Sequence, residues 1–148
     1  MKPLLAVPAA VPVALWFLGT AAAPADPGAA NPSNPSFSPP FVDRTEWTQW
    51  RGLTSLWVFP TPSGRIAARQ RGTSGALDAS DEAWFEVLAM SPDADTPGMR
   101  AQFICHWQFA EMAQPGKASW NLEPWRPVVD DDEMVASGCN PGGLAGPF

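Results

Sequence analysis

Two hydrophobic periods divide the chain. In "LTSLWVFPT", Leu56 and Val58 alternate with Ser55 and Trp57, the period-two pattern of a half-buried strand. "RTEWTQWRG", just upstream, reads as its partner, with Gly52 punctuating the turn between them. "PTPSGR" at 60–65 breaks the second strand, and "GRIAARQRG" reads as a further strand or an exposed basic loop. The period then lengthens. "DASDEAWFEVLAMSP" predicts a helix with Asp78 or Ser80 as cap, acidic residues in its first turn and Trp84, Val87 and Leu88 as its apolar stripe; Pro92 ends it. "TPGMRAQFICHWQFAEMAQPG" predicts a second helix, capped by Thr96, with Pro97 at its first position and Pro115-Gly116 as its stop. "KASWNLEPWRPVV" reads as a loop, and "DDDEMVASG" as a short third helix capped by its own aspartates and ended at Gly138. The fold class is α+β: a small antiparallel β-sheet packed against two to three helices.

At about 100° per residue, Met99, Phe103, His106, Trp107 and Ala110 share one side of the second helix. Cys105 points roughly 100° away from that stripe. The adjacent cysteine and histidine of "ICHW" therefore have separate roles. Cys105 can reach the helix preceding Cys139, while His106 faces the core or a cleft cut into it.

The N-terminal pattern is different in kind. In "MKPLLAVPAAVPVALWFLGTAAAPADPG", Lys2 precedes an apolar run, Leu4–Leu18, and then small residues, the layout of an export signal. The run is short against the ~20 residues that span a bilayer, and Pro8 and Pro12 interrupt it. Cleavage is expected after Ala25, where Ala23-Pro24-Ala25 has the small-x-small pattern. No cysteine sits there to carry a lipid. Residues 26–40, rich in Pro, Ala, Ser and Asn, read as an extended linker, and 41–148 as one globular domain. The expected place of work is outside the cell or at the cell wall, with no membrane span in the mature chain.

Charge and cysteine count follow from that. Without Lys2 the chain keeps eight basic and fifteen acidic side chains, 8 − 15 = −7. A nucleic-acid binder needs a basic face to release counterions from phosphates, so nucleic acid and anionic membrane surfaces are excluded as partners. The only two cysteines, Cys105 and Cys139, are expected to pair in an oxidising compartment. Closing a loop of about 35 residues stabilises by roughly 3.5–4 kcal/mol in the chain-entropy account. The competing reading, a free catalytic thiol, leaves Cys139 without a role.

His106 is the only histidine. A core histidine satisfied by hydrogen bonds is the favoured reading, ahead of a pocket-lining or catalytic one. Metal ligation is set aside because no second histidine or free thiol completes a zinc shell. The run Asp130, Asp131, Asp132, Glu133 lacks the alternation and glycine of a calcium loop, and capping with the helix dipole accounts for it. Arg65, Arg69 and Arg71 read as a solvated face. In "WNLEPWRP", Pro124 and Pro127 hold Glu123 and Arg126 extended. That makes Trp120, Asn121, Glu123, Trp125 and Arg126 candidates for a rigid aromatic ligand platform, with a well-packed structural loop as the favoured reading of the same segment. Glu123 can pair with Arg126, or Arg126 with the acidic helix start.

"WTQWRGLTSLWVFPT", "MRAQFICHWQFA", "SWNLEPWRP" and "SGCNPGG" together resemble, in that order, a family of secreted Gram-positive, actinobacterial-type proteins catalogued as domain of unknown function 2599. The likeness spans roughly residues 45–143. It places Cys105 and Cys139 at the family's cysteine positions, supporting the bridge, and His106, Asn121, Glu123, Pro124 and Asn140 at its other motif positions. It implies no activity.

The sequence therefore points first to a secreted, disulfide-stapled binding module, a monomer, for a protein or carbohydrate of the envelope or medium. Seven tryptophans after the export segment (8 − 1, setting aside Trp16) and no tyrosine exceed what a small core needs, so some are expected to face a partner. A small hydrolase using His106 with Glu123 is the alternative, without a nucleophile elbow or zinc motif to support it. An inhibitor of a secreted enzyme is the remaining option, without a recognisable reactive loop. No cofactor and no metal are expected.

Overall fold

The structure, a computed structural model, describes residues 37–70 and 76–143, all within the unit Pro32–Phe148. The expected export signal 1–25, most of the linker and Arg71 lie outside the described residues. In chain order the elements are strands β1 (Val42–Trp50) and β2 (Leu53–Pro60), helices α1 (Pro62–Arg69) and α2 (Ala76–Met90), a 3-10 turn at Pro92–Ala94, helix α3 (Pro97–Ala113), strand β3 (Trp120–Leu122) and helix α4 (Asp131–Ala136). The sheet is antiparallel in the order β1-β2-β3. The class is α+β, as expected.

The hairpin is set by its turn. Trp50 pairs with Leu53, leaving Arg51 and Gly52, at φ 50° and 81°, as a two-residue connection. Positive φ at both positions is what the type I′ turn demands and what matches strand twist. The register then sorts the side chains. Leu56 opposes Trp47 and Leu122, while Val58 opposes Thr45 and Trp120. Leu56, Val58, Trp120 and Leu122 are fully buried, in one core with Trp84 and Val87 of α2 and Met99, Phe103 and Trp107 of α3. Ring contacts of 5.4–6.2 Å join Trp84, Phe103, Trp107 and Trp120 through that core. The helices thus cover one face of the sheet.

Two elements differ from the expectation. In "GRIAARQRG", expected as a strand or an exposed loop, residues 64–69 belong to a helix, and 71–72 lie outside the described residues. Thr61 caps that helix by accepting from the Gly64 N–H (2.9 Å), with Pro62 in the first turn, a start signal carried by residues assigned to the break before it. Gly64 is required there, because a Cβ would lie 2.2 Å from the Phe41 carbonyl oxygen. The loop "KASWNLEPWRPVV" contains β3. Three residues are too few for periodicity to reveal; pairing with β2 makes them a strand. Among the described residues the α-helix count is therefore four. A smaller shift concerns α2, which begins at Ala76, so positions 78 and 80, expected at its cap in Asp78 and Ser80, lie inside it. Thr96 and Asp130 do cap α3 and α4, accepting from Met99 N–H and Glu133 N–H.

The expected disulfide is present: Cys105 on α3 joins Cys139 beyond α4. Both are buried, and with Met134 they form a second, smaller core against Ala101, Phe109 and Val129. The stripe and the cysteine of α3 face different cores, as the spacing predicted. Reduction, or the double substitution Cys105→Ser with Cys139→Ser, is expected to remove about 3.5 kcal/mol. Thermal denaturation should then fall by on the order of 15 °C; a change within a few degrees would mean the two cores hold α4 unaided.

Candidate functional site

β3 is an edge strand, and its far side is buried. Leu56↔Leu122 and Val58↔Trp120 point the backbone of Trp120 and Leu122 toward β2, so Asn121 and Glu123 turn theirs outward. In water those groups would be satisfied; here α3 satisfies them. The Gln102 side chain accepts from the Glu123 N–H (2.8 Å) and donates to its carbonyl (3.0 Å). One turn on, His106 Nε2 lies 3.1 Å from the Asn121 carbonyl. A carbonyl only accepts, so Nε2 carries the proton and Nδ1 keeps a lone pair. Gln102 and His106 sit at i and i+4 on one helix face, and together they cover an edge that would otherwise stand unpaired.

The other sequence candidates join the same construction. The Glu123 carboxylate, 1% exposed, pairs with the fully buried Arg126. Arg126 Nη1 donates to the carbonyls of Asn140 (3.0 Å), Pro141 (2.9 Å) and Gly143 (3.1 Å). Arg126 thus ties the segment after β3 to the turn after α4 through these hydrogen bonds, and of the two pairings open to it, the one with Glu123 is made. Trp120 and Asn121 are buried too. Trp125, half-buried, donates from its indole nitrogen to the Thr54 carbonyl of β2 (3.1 Å). His106 and Glu123 each face their own partner: the imidazole a backbone carbonyl, the carboxylate a guanidinium.

His106 is 6% exposed. Burial pushes its pKa down to about 4, the Lys117 charge and, less strongly, that of Arg126 adding to the effect, against the Asn121 carbonyl, which favours the proton. The ring is neutral at physiological pH. It lines a cleft of about 360 Å3, together with Phe109, Gln114, Lys117, Val135 and Asn140. Among the described residues no group of three or more His, Cys, Asp or Glu is placed to hold a metal ion, and no helix is long and apolar enough to cross a membrane.

The sheet face turned away from the helices is aromatic. Arg44 opposes Phe59, Glu46 opposes Trp57, Thr48 opposes Ser55 and Trp50 opposes Leu53, and residues opposed in register share a face. Trp57 and Phe59 lie with ring centroids 6.4 Å apart. The Arg44 guanidinium covers Phe59 at 3.6 Å and that of Arg51 covers Trp50 at 4.4 Å. Trp50, Trp57 and Phe59 are half-buried.

Two polar residues that the sequence reading passed over matter here. Gln102 lies in the α3 stripe, three residues after Met99, and a buried glutamine was the signal. Glu111, also buried, receives Arg65 and Arg69 from α1. Burial works to raise its pKa, but hydrogen bonds from Arg69 and Arg65 outweigh that and hold it below the usual carboxylate range. Arg65 and Arg69 are thus inter-helix partners; Arg65 is largely covered where a solvated face was expected, while Arg69 keeps much of its side chain in solvent.

The family profile described as "Protein of unknown function (DUF2599)" matches residues 42–142. Among similar chains, the uncharacterized protein Rv0477 of Mycobacterium tuberculosis is 61% identical over 148 residues, 96% of each chain. The uncharacterized protein ML2452 of Mycobacterium leprae is 55% identical over 113 residues, 76% of this chain and 89% of its own. No solved structure matches.

Two measurements check this arrangement. Gln102→Leu strands both backbone groups of Glu123 and is expected to cost roughly 2–4 kcal/mol in denaturant unfolding; a loss below about 0.5 kcal/mol would mean another group covers the edge. His106, with its folded pKa depressed from 6.5 to about 4, binds fewer protons folded than unfolded between those values. Stability should be complete above about pH 6.5 and fall by roughly 3 kcal/mol as pH drops to 4. In His106→Gln that slope should vanish from the window, while the loss tied to carboxylates such as Glu111 remains at lower pH.

Proposed function

The chain belongs to the family described as protein of unknown function (DUF2599), and we propose that it is an exported, disulfide-stapled binding module whose partner is a carbohydrate of the cell envelope. The observation that carries the reading is the aromatic sheet face. Trp50, Trp57 and Phe59 stand on the side away from the core, with the half-buried Thr48 on the same face and Ser55 sealed beneath them. Flat, half-buried rings suit the apolar faces of sugar rings, and the Arg44 and Glu46 side chains on the same face can meet their hydroxyl edges. The export reading of residues 1–25 and the buried disulfide both agree with a place outside the cytoplasm.

The alternative hydrolase would work through His106 with Glu123. Its acid and base would have to share a reacting bond, whereas Glu123 is neutralised by Arg126 and His106 donates to a strand carbonyl. A protein partner is the second occupant of the same face, and an inhibitory role would need a presented loop.

The test is retention of the oxidised mature chain on insoluble cell-wall polysaccharide. Trp57→Ala and Phe59→Ala are each expected to weaken retention about tenfold, the scale of one lost stacking contact, with cooperative unfolding preserved. Retention unchanged by both, or none in the parent chain while a wall protein fraction captures it, would sink the carbohydrate reading.

A further inference from the structure

The disulfide holds α4 beside α3 without closing the space between them, and the 360 Å3 cleft lies there, within the size of small-molecule sites. Three of its features ask for a ligand. The first is His106 Nδ1. The ring is sealed to 6% exposure, its Nε2 proton is engaged by the Asn121 carbonyl, and Nδ1 has no partner among the described residues. The sealed, unpartnered side-chain atoms include Ser55 Oγ, Trp120 Nε1 and Arg126 Nη2, and no atom of His106 is among them. Nδ1 is an acceptor left open to the cleft.

The second is Lys117, the only lysine after Lys2. Arg44, Arg65, Arg69, Arg100 and Arg126 each sit on a carboxylate. Lys117, in a chain with net charge −6, has none within salt-bridge distance among the described residues, and its field reaches His106. The third is the wall: Phe109, Ala110 and Val135 offer apolar surface to the same cleft, and Asn140 a polar group.

We propose that this cleft binds a small carboxylate whose neighbouring carbon carries an O–H or N–H donor, as in an α-hydroxy acid or the C-terminal residue of a peptide. The carboxylate meets the Lys117 ammonium, the donor meets His106 Nδ1, and a short aliphatic side chain lies on Phe109 and Val135. Neutrality of the imidazole is what makes it an acceptor; a protonated ring would repel the donor. The cleft shares no residue with the aromatic sheet face, so the two sites stand or fall separately.

Because there is one histidine, imidazole nitrogen NMR of the oxidised mature chain at neutral pH reads the site directly. The probes are lactate, N-acetyl-alanine and, lacking the donor, acetate. Lactate or N-acetyl-alanine is expected to shift Nδ1 saturably in the millimolar range, with Lys117→Met weakening binding about tenfold or more. Tighter lactate binding assigns a free hydroxy acid, and tighter N-acetyl-alanine binding a peptide terminus. No saturable shift by about 50 mM, binding of acetate as tight as either, or binding untouched by Lys117→Met in a folded chain would overturn the proposal.

Discussion

The burial of a three-residue edge strand organises the molecule. A central strand has both sides paired, and an exposed edge has water; β3 has neither, and its outward N–H and C=O groups must find partners or impose a penalty of about 1–3 kcal/mol each. Gln102 and His106 meet that demand from α3. The position of α3 against the sheet is therefore fixed by hydrogen bonds as well as by Met99, Phe103 and Trp107 packing on Leu56 and Trp120. From that placement the rest follows. Cys105 faces α4, Glu111 faces the arginines of α1, and the segment leaving β3 carries Glu123 to Arg126.

This ordering changes how the polar residues are understood. In many small domains a buried histidine near a buried glutamate marks an active site. Here each is accounted for by a backbone group or a counter-charge, and the chemistry on offer lies elsewhere. It is the lone pair that the strand contact leaves on His106, and the rings that the hairpin register sends away from the core. The tryptophans divide in the same way. Trp84, Trp107 and Trp120 build the core, while Trp50 and Trp57 line the opposite sheet face.

Much of this was legible in the sequence, and the rest was hidden for identifiable reasons. The hairpin, α3 with its cap and stops, α4 and the disulfide each carried a local signal: alternation, Thr96-Pro97, an aspartate cap, two cysteines. The α1 helix was missed because its cap, Thr61, stands inside a proline-rich break, and the run that follows holds only Ile66 and alanines as apolar residues. β3 was invisible because its state is imposed by β2, far back in the chain. At 120–126 the choice between a ligand platform and a packed segment stays open in the sequence, since alternation cannot tell a strand with one buried face from one enclosed on both. Glu111 and Gln102 fell on positions that the helical stripe had already marked as inward, so a polar residue there was itself the sign of a buried partnership.

The pairing of Leu56 with Leu122 has a kinetic side. The β1–β2 hairpin closes through a two-residue turn and can form as soon as it is made, but the third strand arrives only after three helices have been threaded between. Contacts so distant in the chain form slowly, and Arg126 cannot complete its set of carbonyls until Gly143 is in place. Until then β2 presents a free edge of eight residues, Leu53–Pro60, bearing alternating apolar side chains, the kind of edge on which a second copy can pair. The late closing of this sheet makes the unfinished chain, rather than the finished one, the species prone to self-association.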